Sequence, residues 1–70
     1  MSEKRVLLKQ LRQQKGTQVQ VAADLGISTI YLRKIESGEH TPGRDLMFKF
    51  AHYFGESPEK LFPDYFASVS

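Results

Sequence analysis

TQVQVAADLGISTIYLRKIESG, residues 17–38, decides how this chain folds. Its small, apolar and turn-forming residues fall where two short helices meeting at a tight turn need them. Thr17, followed three residues later by Gln20, fits a capping box in which each side chain satisfies an otherwise unpaired backbone N–H. Val21, Ala22 and Leu25 then share one helical face, and Gly26 supplies the positive φ that commonly ends a helix. The alternation Val19-Gln20-Val21 also suits a strand, but the cap, the shared face and the glycine stop together favour helix. Ser28 caps a following helix expected over 29–37, with Leu32 and Ile35 turned inward and Gly38 closing it. The connection Leu25-Gly26-Ile27-Ser28 is too short for parallel packing, so the two helices must cross steeply as a helix-turn-helix. Ala22 lies at their closest approach, where a larger side chain would push them apart.

The outward face of the second of these helices follows from the same geometry. At about 100° per residue, measured from the mean direction of Leu32 and Ile35, Ile30 and Ser37 point farthest away, with Arg33 and Lys34 next. Tyr31 lies only about 70° from the inward direction, which favours partial packing, the alternative being a phosphate contact through its hydroxyl. In a helix-turn-helix such outward residues enter the major groove of DNA, and Thr29 at the helix N-terminus is placed to reach base edges first. Thr29 suits several base edges or a thymine methyl, whereas Ile30 offers only apolar contact, for which a thymine methyl is the natural partner. Arg33 and Lys34 can each donate to guanine O6 and N7 or reach a phosphate, and both readings stay open. The plainer alternative for Ile30 is a half-buried contact against the preceding helix, and for Arg33 and Lys34 an ordinary solvated face.

Working outward, a helix is expected over residues 3–15, with Ser2 as its cap, Leu7, Leu8 and Leu11 facing inward, and Gly16 breaking it. Residues 38–43 form a loop with two glycines and a proline. A fourth helix, about 44–54, carries Met47, Phe50, Ala51 and Phe54 as an amphipathic stripe and stops at Gly55. Ser57-Pro58 opens a short fifth helix bearing Leu61 and Phe62. Pro63 then bends the chain away into a short tail, 63–70, that exposes Tyr65 and Phe66. The whole chain reads as one all-α domain of 70 residues, near the lower limit for independent folding.

The residues that carry this reading resemble the Cro/cI-type (XRE-like) helix-turn-helix family. With Gln18 as the first motif position, Ala22, Gly26, Leu32 and Ile35 fall at the fifth, ninth, fifteenth and eighteenth, giving a motif over 18–37. The similarity continues through Ile35-Glu36-Ser37-Gly38, Pro42, Ala51, Phe54 and Gly55, and covers about residues 8–62. The resemblance implies a five-helix, lambda-repressor-like domain that binds double-stranded operator DNA, usually as a dimer. It also implies that Gln18 contacts the DNA backbone and braces the first residue of the recognition helix, and that Arg12 and Glu36 form a buried salt bridge. Phosphate contacts are expected from Thr17, Gln18, Ser28, Tyr31, Ser37 and Arg44, and base reading from Thr29, Ile30, Arg33 and Lys34.

Charge placement agrees with that expectation. The chain carries +2 overall, but residues 1–35 hold seven basic residues against two acidic ones, and residues 36–70 hold three against six. A basic pole suits phosphates, with the acidic pole facing away. No cysteine is present, which fits a reducing, cytoplasmic setting, and no stretch has the apolar length of a membrane span. His40 in the loop and His52 on the outer face of the fourth helix have no carboxylate, nucleophile or ligand at a meaningful spacing. No enzyme, cofactor or metal is therefore expected. A second reading is an antitoxin-like interaction module, motivated by Leu61, Phe62, Tyr65 and Phe66 in the acidic half; the plainer alternative is that Phe62 caps the core and the others make a homodimer contact, with Phe62, Tyr65 and Phe66 all counted as possible contact residues.

Overall fold

Six helices succeed one another, with no strand among the described residues: α1 (Val6–Lys15), α2 (Gln18–Leu25), α3 (Thr29–Ser37), α4 (Arg44–Phe54), α5 (Pro58–Leu61) and α6 (Pro63–Val69). The computed structural model describes residues 5–69, with side chains as far as Phe66. The expected cap Ser2 and the start of the first helix at residue 3 lie outside the described residues. Within them α1 begins at Val6, because Arg5 has non-helical angles (φ −128°, ψ 47°) while its side chain turns inward.

The remaining helix ends arise from local chemistry. Thr17 and Gln20 complete the capping box of α2, the threonine hydroxyl accepting from Gln20 N at 3.2 Å and Gln20 Oε1 accepting from Thr17 N at 2.9 Å. Ser28 caps α3 by accepting from Tyr31 N at 3.0 Å, and Ser57 caps α5, whose first residue is Pro58. Gly26 closes α2 at φ 74°, ψ 29°, and its N–H reaches back to the last-turn carbonyls of Ala22 and Ala23. A Cβ at this glycine would have ordinary clearance, its nearest neighbour being Lys49 Nζ at 3.6 Å. Gly26→Ala is therefore a test of backbone strain alone. It is expected to cost about 1 kcal/mol, read as a lowered thermal midpoint with unchanged helical signal.

The core gathers one face of every helix from α1 to α5. Leu8, Val21, Leu32, Ile35, Phe50, Leu61 and Phe62 are fully buried, with Ala22 and Leu25 almost so. Phe50 sits at its centre, its ring 6.0 Å from Phe54 and 5.8 Å from Phe62. Lys15 lies over the ring of Tyr53, whose hydroxyl donates to Asp24 at 2.7 Å, so the ends of α1, α2 and α4 are tied at the surface. The hydrogen bond to Asp24, helped by partial burial and the carboxylate's charge, raises the Tyr53 hydroxyl above its ordinary pKa.

The expected tail is a sixth helix. Pro63 does not turn the chain into open coil but occupies the first helical position, where a missing N–H costs nothing. Phe66 on α6 packs against the core while Tyr65 stays 43% exposed. Phe62 caps the core, the plainer of its two readings, and is corrected as a possible dimer contact. With no accessible surface, wedged between Phe50 and the guanidinium of Arg5, it offers a partner nothing to touch.

Candidate nucleic-acid interface

The candidate interface is built on α3, which the core grips from one side. Leu32 and Ile35 are fully buried, and Ile30, Arg33, Lys34 and Ser37 are exposed on the other side. Ile30 is 62% exposed, so its side chain is not half-buried against α2. Thr29 is partly buried at the first helical position. Tyr31 packs on the fringe of the core, and its hydroxyl lies 3.1 Å from His40 Nε2 with the two rings 4.9 Å apart. His40, placed in the loop by the sequence, is exposed but partnered.

Beneath the outward face of α3, three elements meet at Glu36. Its carboxylate, almost fully buried, accepts from Arg12 Nε at 2.6 Å and Nη2 at 3.0 Å, and from Gln18 Nε2 at 3.2 Å. The fork of Arg12 matches both carboxylate oxygens, a geometry that lysine cannot reproduce. The Gln18 amide, which the resemblance implies braces Thr29, donates instead to Glu36. One Gln18 amide hydrogen is thus committed, and the other is directed by the same anchor.

The remaining candidate phosphate contacts differ in what they have to offer. Thr17 and Ser28 use their hydroxyl oxygens as caps. Ser37 donates its hydroxyl proton to Lys34 O at 3.0 Å and accepts from Glu39 N at 3.3 Å, so its donor serves the helix end. Arg44, exposed at the first position of α4, keeps its charge at a helix N-terminus, where anions are favoured.

The basic pole is also smaller than the sequence count suggests. Arg5 and Arg12 are turned inward and paired with Asp64 and Glu36, and neither presents its charge to a polyanion. Lys9, Lys15, Arg33 and Lys34 are the exposed basic residues of this half among the described residues. Sequence reading missed Arg5 as an internal residue. The signal available was slight: an arginine three positions before a buried leucine.

An all-α bundle whose second and third helices form a capped, glycine-turned pair, with an apolar and cationic face left outward on the second member, defines a helix-turn-helix DNA-binding domain. The helix-turn-helix family matches residues 8–61, most of the chain, and the protein belongs to it, in its Cro/C1-type, XRE-like branch. It is accordingly a DNA-binding protein of the transcription-regulator kind. Comparison with curated proteins and with solved structures gave no match. Among the described residues no helix is long and apolar enough to cross a membrane, and no three His, Cys, Asp or Glu side chains gather as a metal site.

Proposed function

We propose that this protein is a sequence-specific repressor or controller-type regulator that acts as a homodimer on a (pseudo)palindromic operator. The observation that carries the reading is the outward face of α3, where Ile30, Arg33 and Lys34 are exposed behind Thr29 on a helix held rigidly by Leu32 and Ile35. Thr29 and Ile30 lead into the major groove, and Arg33 and Lys34 come behind them. Gln18, Tyr31 and Arg44 hold the flanking phosphates, with Thr17, Ser28 and Ser37 contributing through the backbone groups that they order. Phosphate neutralisation supplies most of the affinity, and contacts to base edges supply the preference. Two half-sites are expected about 34 Å, or roughly 10 base pairs, apart.

Selection from random duplexes at defined salt tests this reading. A symmetric, thymine-containing half-site with salt-sensitive binding supports it, and no preference for any sequence sinks it. Within the selected site, Ile30 gives a sharper expectation. Replacing the contacted thymine by uracil removes one methyl group and should weaken binding by about fourfold, from roughly 0.8 kcal/mol per buried carbon. Ile30→Ala should abolish the difference between the two bases. If uracil is tolerated at every position, Ile30 does not read DNA.

A groove of about 280 Å³ between α4 and α6 favours dimerisation as the means of pairing half-sites. Phe48, 57% exposed, lines it with Met47, Tyr65 and Phe66. Light scattering of the purified chain separates a homodimer from the antitoxin-like alternative, in which a different protein covers this surface.

A further inference from the structure

Two residues that lie outside the family match hold each other across 59 positions of sequence. Arg5 donates from Nε to Asp64 Oδ1 and from Nη2 to Asp64 Oδ2, both at 3.0 Å, and its side chain has no exposed surface. The same guanidinium donates from Nη1 to Ile35 O at 2.7 Å and to His40 O at 2.8 Å, and from Nη2 to Thr41 Oγ1 at 2.7 Å. Its carbon stands 5.0 Å from the centre of the Phe62 ring. One side chain therefore joins the first turn of α6 to the last turn of α3 and to the loop that delivers Arg44. Replacing a whole buried ion pair by packed apolar side chains is often neutral or better for stability, so cohesion alone does not account for this network; what distinguishes it is the geometry that five directed hydrogen bonds impose.

We propose that Arg5 and Asp64 are positioning residues for DNA binding: their bridge fixes the 38–43 loop, and the docking of α6 thereby sets the strength of the phosphate contact at the C-terminal end of α3. This rests on the DNA-binding reading proposed for α3. Three of the five hydrogen bonds of Arg5 go to α3 and the loop rather than to Asp64. The loop is pinned again at Pro42, which is buried, and Pro42, Gly43 and Arg44 form one wall of the groove whose other wall is Tyr65 and Phe66. Asp64 orients the guanidinium, the guanidinium holds the His40 carbonyl and the Thr41 hydroxyl, and Arg44 lies three residues on.

The test compares the full-length chain with Asp64→Asn on a duplex obtained by random-duplex selection, at several salt concentrations and at a temperature where both are fully folded by circular dichroism. Asp64→Asn is expected to bind about tenfold more weakly, and its slope of log affinity against log salt should fall by about one, the signature of a lost phosphate contact. Arg44→Ala should behave alike, and the double variant should be little worse than either single one. If Asp64→Asn is not folded under these conditions, Asp64→Glu replaces it, keeping the charge but displacing the fork. A variant that melts lower yet binds with wild-type affinity and slope overturns the proposal, as does full additivity with Arg44→Ala. A wild-type chain that binds no duplex removes the DNA reading and this proposal together, whereas wild-type binding matched by the variant removes this proposal alone.

Discussion

Glu36→Ala is expected to destabilise the domain by about 3–5 kcal/mol, a large share of the roughly 4–10 kcal/mol that a chain of this length can hold. The size reflects the groups left behind. Arg12 loses the acceptor for both Nε and Nη2 while only 12% of its side chain is exposed, and Gln18 loses the anchor of its amide. An ion pair in solvent would cost about 1 kcal/mol or less when broken, so urea denaturation separates the two cases cleanly. A loss below about 1 kcal/mol would mean that the pair is solvated and that Glu36 does not organise the site. Glu36→Gln retains a carbonyl acceptor and should fall between the two. Under the DNA-binding reading, both substitutions also weaken phosphate binding at α2, because the amide of Gln18 is no longer directed.

Phe50→Ala should be comparably severe, at about 3–5 kcal/mol, for a different reason. Its ring fills the space between Phe54 and Phe62, and truncation leaves a cavity that helices held by four other apolar faces cannot fully close. The internal control is two residues earlier on the same helix. Phe48, 57% exposed on the single chain, should lose only a few tenths of a kcal/mol on truncation to alanine when both variants are measured at a concentration where the chain is monomeric. Equal losses at the two positions would show that the stripe of α4 had been assigned to the wrong face. Because Phe62 lies between Phe50 and Arg5, loss of Phe50 should also loosen the guanidinium network, which two-dimensional NMR would register as shifts in the 38–43 amides.

These two sites differ in how readily a sequence discloses them. The ends of α2, α3, α4 and α5 are announced by residues within a turn of the boundary, Thr17 with Gln20, Gly26, Ser28, Gly38, Gly55 and Ser57, so they are legible without tertiary knowledge. The stripe of α4 is a period of 3.6 and names Phe50 directly. Arg12 with Glu36 is another matter, since nothing local links a residue of α1 to one of α3; it was legible only through the family resemblance. Arg5 with Asp64 had no such help. Counted by charge, Arg5 belonged to the basic pole, and only the three-dimensional path of the chain brings a carboxylate from α6 and two carbonyls to it. Pro63 misled for a related reason, because the same ring that stops one helix is well suited to begin the next, and the packing of Phe66 three residues later decides between the two.

The exposure of Ile30, Arg33 and Lys34 has a consequence for how such a chain changes over time. None of the three belongs to the buried cluster, and α3 is capped by residues beyond them, Ser28 on one side and Gly38 on the other. If these positions read DNA, the vocabulary of the protein is separable from its architecture. Single substitutions can retarget it without passing through a misfolded ancestor, and a library randomised at these positions should retain a common melting temperature while its members diverge in the operators they prefer.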